Sequence, residues 1–315
     1  PPMEVLKQAD YECGVICQMQ FCGYFLVVAD YINWAKEHGV MVGPGRGSAA
    51  GAMVAYAMGI TELDPLKHGL IFERFLNPER VSLPDIDVDF DPEGRMRVLG
   101  YVADKYGHDK VAQCVIYGTI KTKQALKDSA RIMGFPFEMG TRITEALPPA
   151  ATGGKDISVH DIFDPSAKRY AEAREYRELY DSDPEVKRIT EEAKGIEGLI
   201  RQTGVHACAT IMGSAPITDT SPLLERTDGT VTTTFEYHTC ETLGLVKMDF
   251  LGLSNLTVIR DTLTNIEHNG KGVIDYTKIP LDDRETYQLL SRGDTLGVFQ
   301  LDSDGMRSLL KTLKP

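Results

Sequence analysis

The sequence predicts an α+β fold whose mixed sheet is interrupted by a helical insertion, and three observations carry that prediction. Strand-like stretches stand at 81–90 and 111–117 and return at 207–212, 222–225, 231–237 and 244–250. Between them, 118–205 switches to helical patterning, with helices expected over 122–133, 138–146, 166–181 and 184–200 around a loop at 148–156. The last stretch, 255–315, is again mainly helical, with one short strand-like piece at 297–301. A chain of 315 residues has room for two or three domains. The boundaries expected are 1–117, 118–205, 206–254 and 255–315.

Each element has a local reason. Residues 11–38 read as one helix because Phe25, Val28, Ile32 and Ala35 recur at helical spacing. His38-Gly39 stops it, and Val40-Met41-Val42 reads as a short strand. The loop GPGRGS follows at 43–48, and Ser48 is placed to cap a small-residue helix after it. Pro92 suits the first turn of a helix running to Tyr106. Thr227-Asp228-Gly229 supplies turn chemistry for a hairpin.

Composition narrows the class without fixing a partner. No apolar run approaches the roughly 18 residues a membrane span needs. PPMEVLKQAD lacks the basic-then-apolar layout of a signal peptide and begins without Met. A cytoplasmic protein, as a fragment or processed product, is therefore expected. The six cysteines read as reduced thiols, and Cys13, Cys17 and Cys22 lack zinc-knuckle spacing. A net charge of −12 is unusual for a nucleic-acid binder, but Lys121, Lys123, Lys127 and Arg131 form a local basic patch offset only by Asp128. Trp34 reads as core.

Three stretches carry chemistry. In LPDIDVDFD, period-two geometry puts Asp85, Asp87 and Asp89 on one strand face and Ile86, Val88 and Phe90 on the other. Like charges so close are costly unless cations neutralise them, and hard oxygen ligands suit Mg²⁺. A solvated acidic edge strand is the alternative. An EF-hand is excluded, because Phe90 and Met96 stand where Gly and Glu are required. In GLVKMDFLGL, Lys247 and Asp249 share a face, and a third carboxylate is what a two-metal site would add to an Asp-x-Asp pair.

GPGRGSAAG lacks the Lys-Ser/Thr of a Walker A loop and a convincing ribose-binding acid. It can cradle a triphosphate through backbone N–H groups, with Arg46 and Ser48 adding a charge and a hydroxyl; a tight turn needing Gly is the alternative. Arg74 and Arg80 in FERFLNPER suit phosphate, or surface pairing with Glu73 and Glu79. His206 can contact phosphate or sit satisfied in the core.

GYFLVVADYINWAKEHGV, VGPGRGSAAG, LIFERFLNPERVSLPDIDVDF, YGTIKTKQALKDSARIMGFP and LGLVKMDFLGL together resemble the catalytic alpha subunits of bacterial replicative DNA polymerase III, the C-family polymerases, and GTIKTKQALKDSAR is most similar to actinobacterial forms. The resemblance runs almost end to end. It implies a polymerase-beta-like nucleotidyltransferase palm, a helical thumb at 118–205 and the start of helical fingers at 255–315. It implies Asp85, Asp87 and Asp249 as catalytic ligands of two Mg²⁺ ions, with Asp89 outside that set. Gly47 and Ser48 match the triphosphate loop, and Arg46, Arg74, Arg80, Lys247 and His206 match motif positions expected near the nucleotide. Lys121, Lys123, Lys127 and Arg131 are expected to meet DNA.

The implied activity is templated addition of dNMP to a primer 3′ end. Implied partners are primer-template DNA, dNTP, the remaining polymerase III domains or holoenzyme subunits, and a sliding clamp reached through regions outside this sequence; no membrane is expected. Two rivals stand beside this reading: a truncated or split piece that binds DNA or subunits without chemistry alone, and a nucleotidyltransferase acting on a small substrate or RNA.

Overall fold

The computed structural model describes residues 1–79, 84–150 and 156–315. The chain forms two compact units, one from 1–114 with 206–315 and one from 115–205. The elements in order are α1 (Met3–Gln18), α2 (Cys22–Glu37), α3 (Met53–Ala57), β1 (Asp87–Phe90), α4 (Pro92–Tyr106), β2 (Val111–Thr119), α5 (Thr122–Ile132), α6 (Phe137–Glu145), α7 (Arg174–Ser182), α8 (Pro184–Ile196), β3 (Ile200–Met212), β4 (Leu223–Glu225), β5 (Val231–Thr233), α9 (Tyr237–Thr242), β6 (Val246–Gly252), α10 (Ser254–His268), α11 (Arg284–Arg292) and α12 (Asp304–Leu313).

The sheet is mixed, in the order β1-β6-β3-β2-β5-β4. β1 runs parallel to β6, and β3 runs antiparallel to β6 on its other side. β5 is parallel to β2 and antiparallel to β4, the latter pair turning through 226–230 as the Thr-Asp-Gly signal predicts. An α+β fold with a mixed sheet is what the sequence led us to expect.

The first unit is centred on aromatic and aliphatic side chains from α2, β1, α4 and β6. Phe25, Val28, Ile32 and Ala35 are all buried, with Tyr31 against Phe250 at 4.8 Å and Phe90 stacked on Phe250 at 5.9 Å. Trp34 packs partly buried between His38 and Tyr101 at 4.2 and 4.4 Å. α10 is anchored by Arg260, which donates to the buried Asp91 at 2.8 Å. Asp91 also caps α4 through the Gly94 N–H, and Pro92 fills the first helical position. The second unit buries Leu126, Ile143, Val159, Ile162, Tyr176, Val186 and Ile189 in a core of its own.

Several expectations needed correction. The single helix over 11–38 is two helices, bent by 115° at Met19–Phe21, where Gln20 takes φ +62. No single helix among the described residues is long and apolar enough to cross a membrane. Val40–Val42 is not a strand; only Val42 bridges Phe90, through Gly43 N–H on the Asp89 carbonyl at 2.8 Å and Asp91 N–H on the Met41 carbonyl at 3.1 Å.

Ser48 caps no helix. Gly47–Gly51 is a 3₁₀ turn, and the α-helix begins later, at Met53. Its free N–H groups at Met53 and Val54 are met by Glu12, 41 residues back, at 3.0 and 2.9 Å. The strand expected over 231–237 ends at Thr233 and gives way to α9, and 297–301 is turn, with φ +79 at Gly297 and +61 at Gln300. Of the strand expected over 81–90 only Asp87–Phe90 forms; residues 84–86 lead into it without strand pairing, and 81–83 lie outside the described residues, as does Arg80.

Candidate active site

The parallel register of β1 and β6 sets Asp87 directly beside Asp249. Strand periodicity then decides the faces. Ile86, Val88, Phe90, Met248 and Phe250 are buried in the core, so Asp85, Asp87 and Asp249 converge on the opposite side. Ligand oxygens of these three lie within 4.8 Å of one another. Tyr24 Oη accepts the Ile86 N–H at 3.0 Å and so fixes the backbone between the first two aspartates. Arg95, reaching from α4, donates to the Phe250 and Ala207 carbonyls at 2.7 and 3.0 Å and ties β6 to β3.

The electrostatics are those of crowded carboxylates around one ammonium. Lys247 Nζ donates to both Asp249 Oδ2 and Asp85 Oδ1, the latter at 3.0 Å. Burial, and then the facing Asp85 carboxyl, push Asp249 up to about 6 although Lys247 pulls it down. For Asp85, burial is outweighed by hydrogen bonding with Asp249 and Lys247, which holds it below the usual carboxylate range. Burial and the Asp85 charge raise Asp87. Partial burial would lower the pKa of Lys247, but its two carboxylate partners, Asp249 and then Asp85, outweigh that and raise it. Asp249 Oδ1 is buried without a hydrogen bond among the described residues. One carboxylate oxygen is thus left open inside an acidic cluster, and such a group calls for an explanation.

The GPGRGS loop lies over the same face. Gly47 takes φ +62, which favours glycine, and a Cβ there would stand 4.0 Å from Asp87 Oδ2. Gly47 and Ser48 are exposed. Arg46 donates to Asp89 Oδ1 at 2.9 Å, so this fourth acid of the face is engaged with the loop. His206 Nδ1 accepts the Ala209 N–H at 2.9 Å, and burial followed by the Lys247 charge lowers its pKa. Its ring lies 6.0 Å from Tyr237, whose ring in turn lies 5.4 Å from Lys247 Nζ.

Other predicted residues fall elsewhere. Arg74 is exposed and has no ion pair among the described residues; Glu73 instead accepts from Tyr11. Lys121, Lys123, Lys127 and Arg131 belong to the second unit, around α5. There Lys127 lies 5.9 Å over the exposed Phe137 ring and Arg131 pairs with Asp128 at 3.2 Å. Reasoning from sequence missed Tyr24, Arg95 and Cys208, whose thiol burial and the Asp249 charge push up to about 11. No local pattern marks them, since each acts on a partner distant in sequence.

The model for the bacterial DNA polymerase III alpha NTPase domain matches residues 1–252, and that for the bacterial DNA polymerase III alpha subunit finger domain matches 255–315. DNA polymerase III subunit alpha of Mycobacterium tuberculosis (strain CDC 1551 / Oshkosh) is 56% identical over 318 residues, covering 100% of this chain and 27% of that protein. Those of Aquifex aeolicus and Escherichia coli O6:H1 are each 44% identical, covering 99% and 98% of this chain and 28% and 26% of theirs. The chain therefore spans little more than a quarter of the length of these relatives. With matches that together run from the first residue to the last, the chain belongs to the bacterial DNA polymerase III alpha family.

Proposed function

We propose that this chain carries the nucleotidyl-transfer centre of a DNA-directed DNA polymerase, which joins dNMP to a primer 3′ oxygen and releases pyrophosphate. The observation that carries the reading is the placing of Asp85, Asp87 and Asp249 on one face under the Gly47-Ser48 loop. The residues suit a pair of hard divalent cations. All three donors are carboxylates, one buried oxygen is unpartnered among the described residues, and an ammonium already sits among them as a counter-charge. Two Mg²⁺ ions held by Asp85, Asp87 and Asp249 would supply the Lewis acidity that lowers the pKa of the primer hydroxyl and neutralises the triphosphate.

The remaining roles belong to the chain itself. The backbone at Gly47 and the Ser48 hydroxyl receive triphosphate oxygens, where a left-handed glycine opens the approach. Lys247 and Arg46 offer positive charge on that face, and Asp89 holds Arg46 in place. Arg74, Arg80 and His206 are assigned to nucleotide binding on their motif positions. Lys121, Lys123, Lys127 and Arg131 contact DNA phosphates, a term that weakens with salt. The domain roles are palm for 1–117 and 206–254, thumb for 118–205 and fingers from 255. The partners are primer-template DNA, dNTP, the other polymerase III parts and, through regions outside this chain, a sliding clamp, in the bacterial or host cytoplasm.

Templated primer extension with Mg²⁺ tests the reading. Asp85→Asn in the complete polymerase is expected to lower extension by roughly 10³-fold or more. Undiminished extension would sink the assignment. A second reading, in which this chain binds DNA or subunits without chemistry alone, is favoured by its small share of the relatives' length. Extension by the 315-residue chain on its own would dismiss it.

A further inference from the structure

Lys247 lies inside the carboxylate cluster and not at its rim. Its side chain is 13% exposed, against 63% for Asp85, and its ammonium donates to both Asp85 and Asp249. Two-residue spacing on β6 forces this, because Lys247 and Asp249 share one strand face. An ammonium at that point has two opposed effects. It gives otherwise repelling carboxylates a counter-charge, and it takes up oxygens that a divalent cation needs.

We propose that the Lys247 ammonium is a resident counter-cation that holds Asp85 and Asp249 together until a divalent metal displaces it, so that this lysine sets the threshold for metal loading. The proposal rests on the metal reading of the three aspartates. It assigns Lys247 a positioning role that precedes any contact with nucleotide. The displaced side chain has somewhere to go. A cavity of about 960 Å³ beside the site is lined by Asp85, Lys247, Tyr237, His238 and Glu241, so the ammonium, already 5.4 Å from the Tyr237 ring, can turn along that ring toward a further acid. A purely structural ion pair would behave differently, since metal would bind without moving it.

Mn²⁺ binding to the 315-residue chain, followed by electron paramagnetic resonance, separates these cases. Lys247→Met is expected to bind Mn²⁺ roughly tenfold more tightly than the unsubstituted chain, because one repelling charge is gone. Without metal the same variant should melt lower, and saturating Mn²⁺ should close the gap. Equal or weaker binding by Lys247→Met, where Asp249→Asn abolishes binding by the unsubstituted chain, overturns the proposal and leaves the metal site standing. Binding that Asp249→Asn does not affect removes the metal reading and the proposal with it. A second measurement needs no variant. Acetylation of lysine amines in the unsubstituted chain, read by mass spectrometry, should rise several-fold at Lys247 when Mg²⁺ is added, with Lys36 as internal reference. Unchanged labelling at metal concentrations that fill the site overturns the proposal.

Discussion

Glu12 and Asp249 are both buried carboxylates in the same unit, and their surroundings are opposite. Glu12 is fully buried, and both of its oxygens are matched: Oε1 accepts from Met53 N–H and Gln8, and Oε2 from Val54 N–H, all at 2.9–3.0 Å. Asp249 is 2% exposed, has one oxygen on Lys247 and the other unbonded among the described residues, and faces two more aspartates. A buried carboxylate whose two oxygens are both hydrogen-bonded holds structure together. One left open beside like charges lowers stability, and such violations of local consistency collect at functional sites.

The largest expected effect tests that difference directly. Asp249→Asn in the complete polymerase should lower primer extension by roughly 10³-fold or more, about 4 kcal/mol of barrier, without lowering stability. The sign follows from proton binding. Asp249 is raised to about 6 when folded, above the ~3.9 of an unfolded aspartate, so the folded state holds more protons in between. The Asp249 contribution to metal-free stability should therefore fall as pH rises from about 4 through 6. Asparagine removes that slope. Thermal unfolding in a chelator across this range checks it, and a variant less stable at pH 7 would break the contrast with Glu12.

Glu12→Ala should give the reverse profile. Two buried N–H groups at the start of α3 lose their acceptors, costing about 3 kcal/mol in urea unfolding. Glu12→Gln keeps one carbonyl acceptor and should fall between. Extension by the intact polymerase should change only as far as folding does. A loss under ~1 kcal/mol for Glu12→Ala would mean that those N–H groups find another partner.

Gly47→Ala probes the loop between these two extremes. The added methyl meets Asp87 Oδ2 only at 4.0 Å, so its cost comes from the left-handed backbone, about 1 kcal/mol. A loss of extension far larger than that stability change, measured on the same protein, would show that the loop's backbone has to stay in this conformation for chemistry.

Period-two and helical patterns made much of this legible in advance. They placed the Asp85–Asp89 alternation, the buried face of α2 and the whole of α4. What escaped depends on partners far along the chain. Glu12 meets a helix 41 residues on, Tyr24 holds, 62 residues on, the residue leading into β1, and Arg95 reaches 155 residues to Phe250. The break at Gln20 escaped because no Gly or Pro announces it, although its φ is left-handed. The pairing of Asp87 with Asp249 is likewise a matter of register between strands distant in sequence, which local alternation leaves open.

Asp183 offers the smallest effect and the finest control, as a capping carboxylate like Glu12 but in the second unit and 20% exposed. It accepts the Glu185 N–H at 3.0 Å and the Val186 N–H at 3.4 Å at the start of α8, and pairs with Arg142 at 2.8 Å. Burial would raise its pKa, but Arg142 and the two N–H groups overcome that and hold it below the usual carboxylate range. Its contribution is thus present above the unfolded value of ~3.9 and is lost as pH falls through the lower folded value. Asp183→Ala should cost about 1 kcal/mol at neutral pH, and the difference should shrink in acid. Asp183→Asn keeps the cap and loses only the Arg142 pair, a few tenths of a kcal/mol that added salt should erase. If Asp183→Ala matched the full cost of Glu12→Ala, burial would not be what sets the two caps apart.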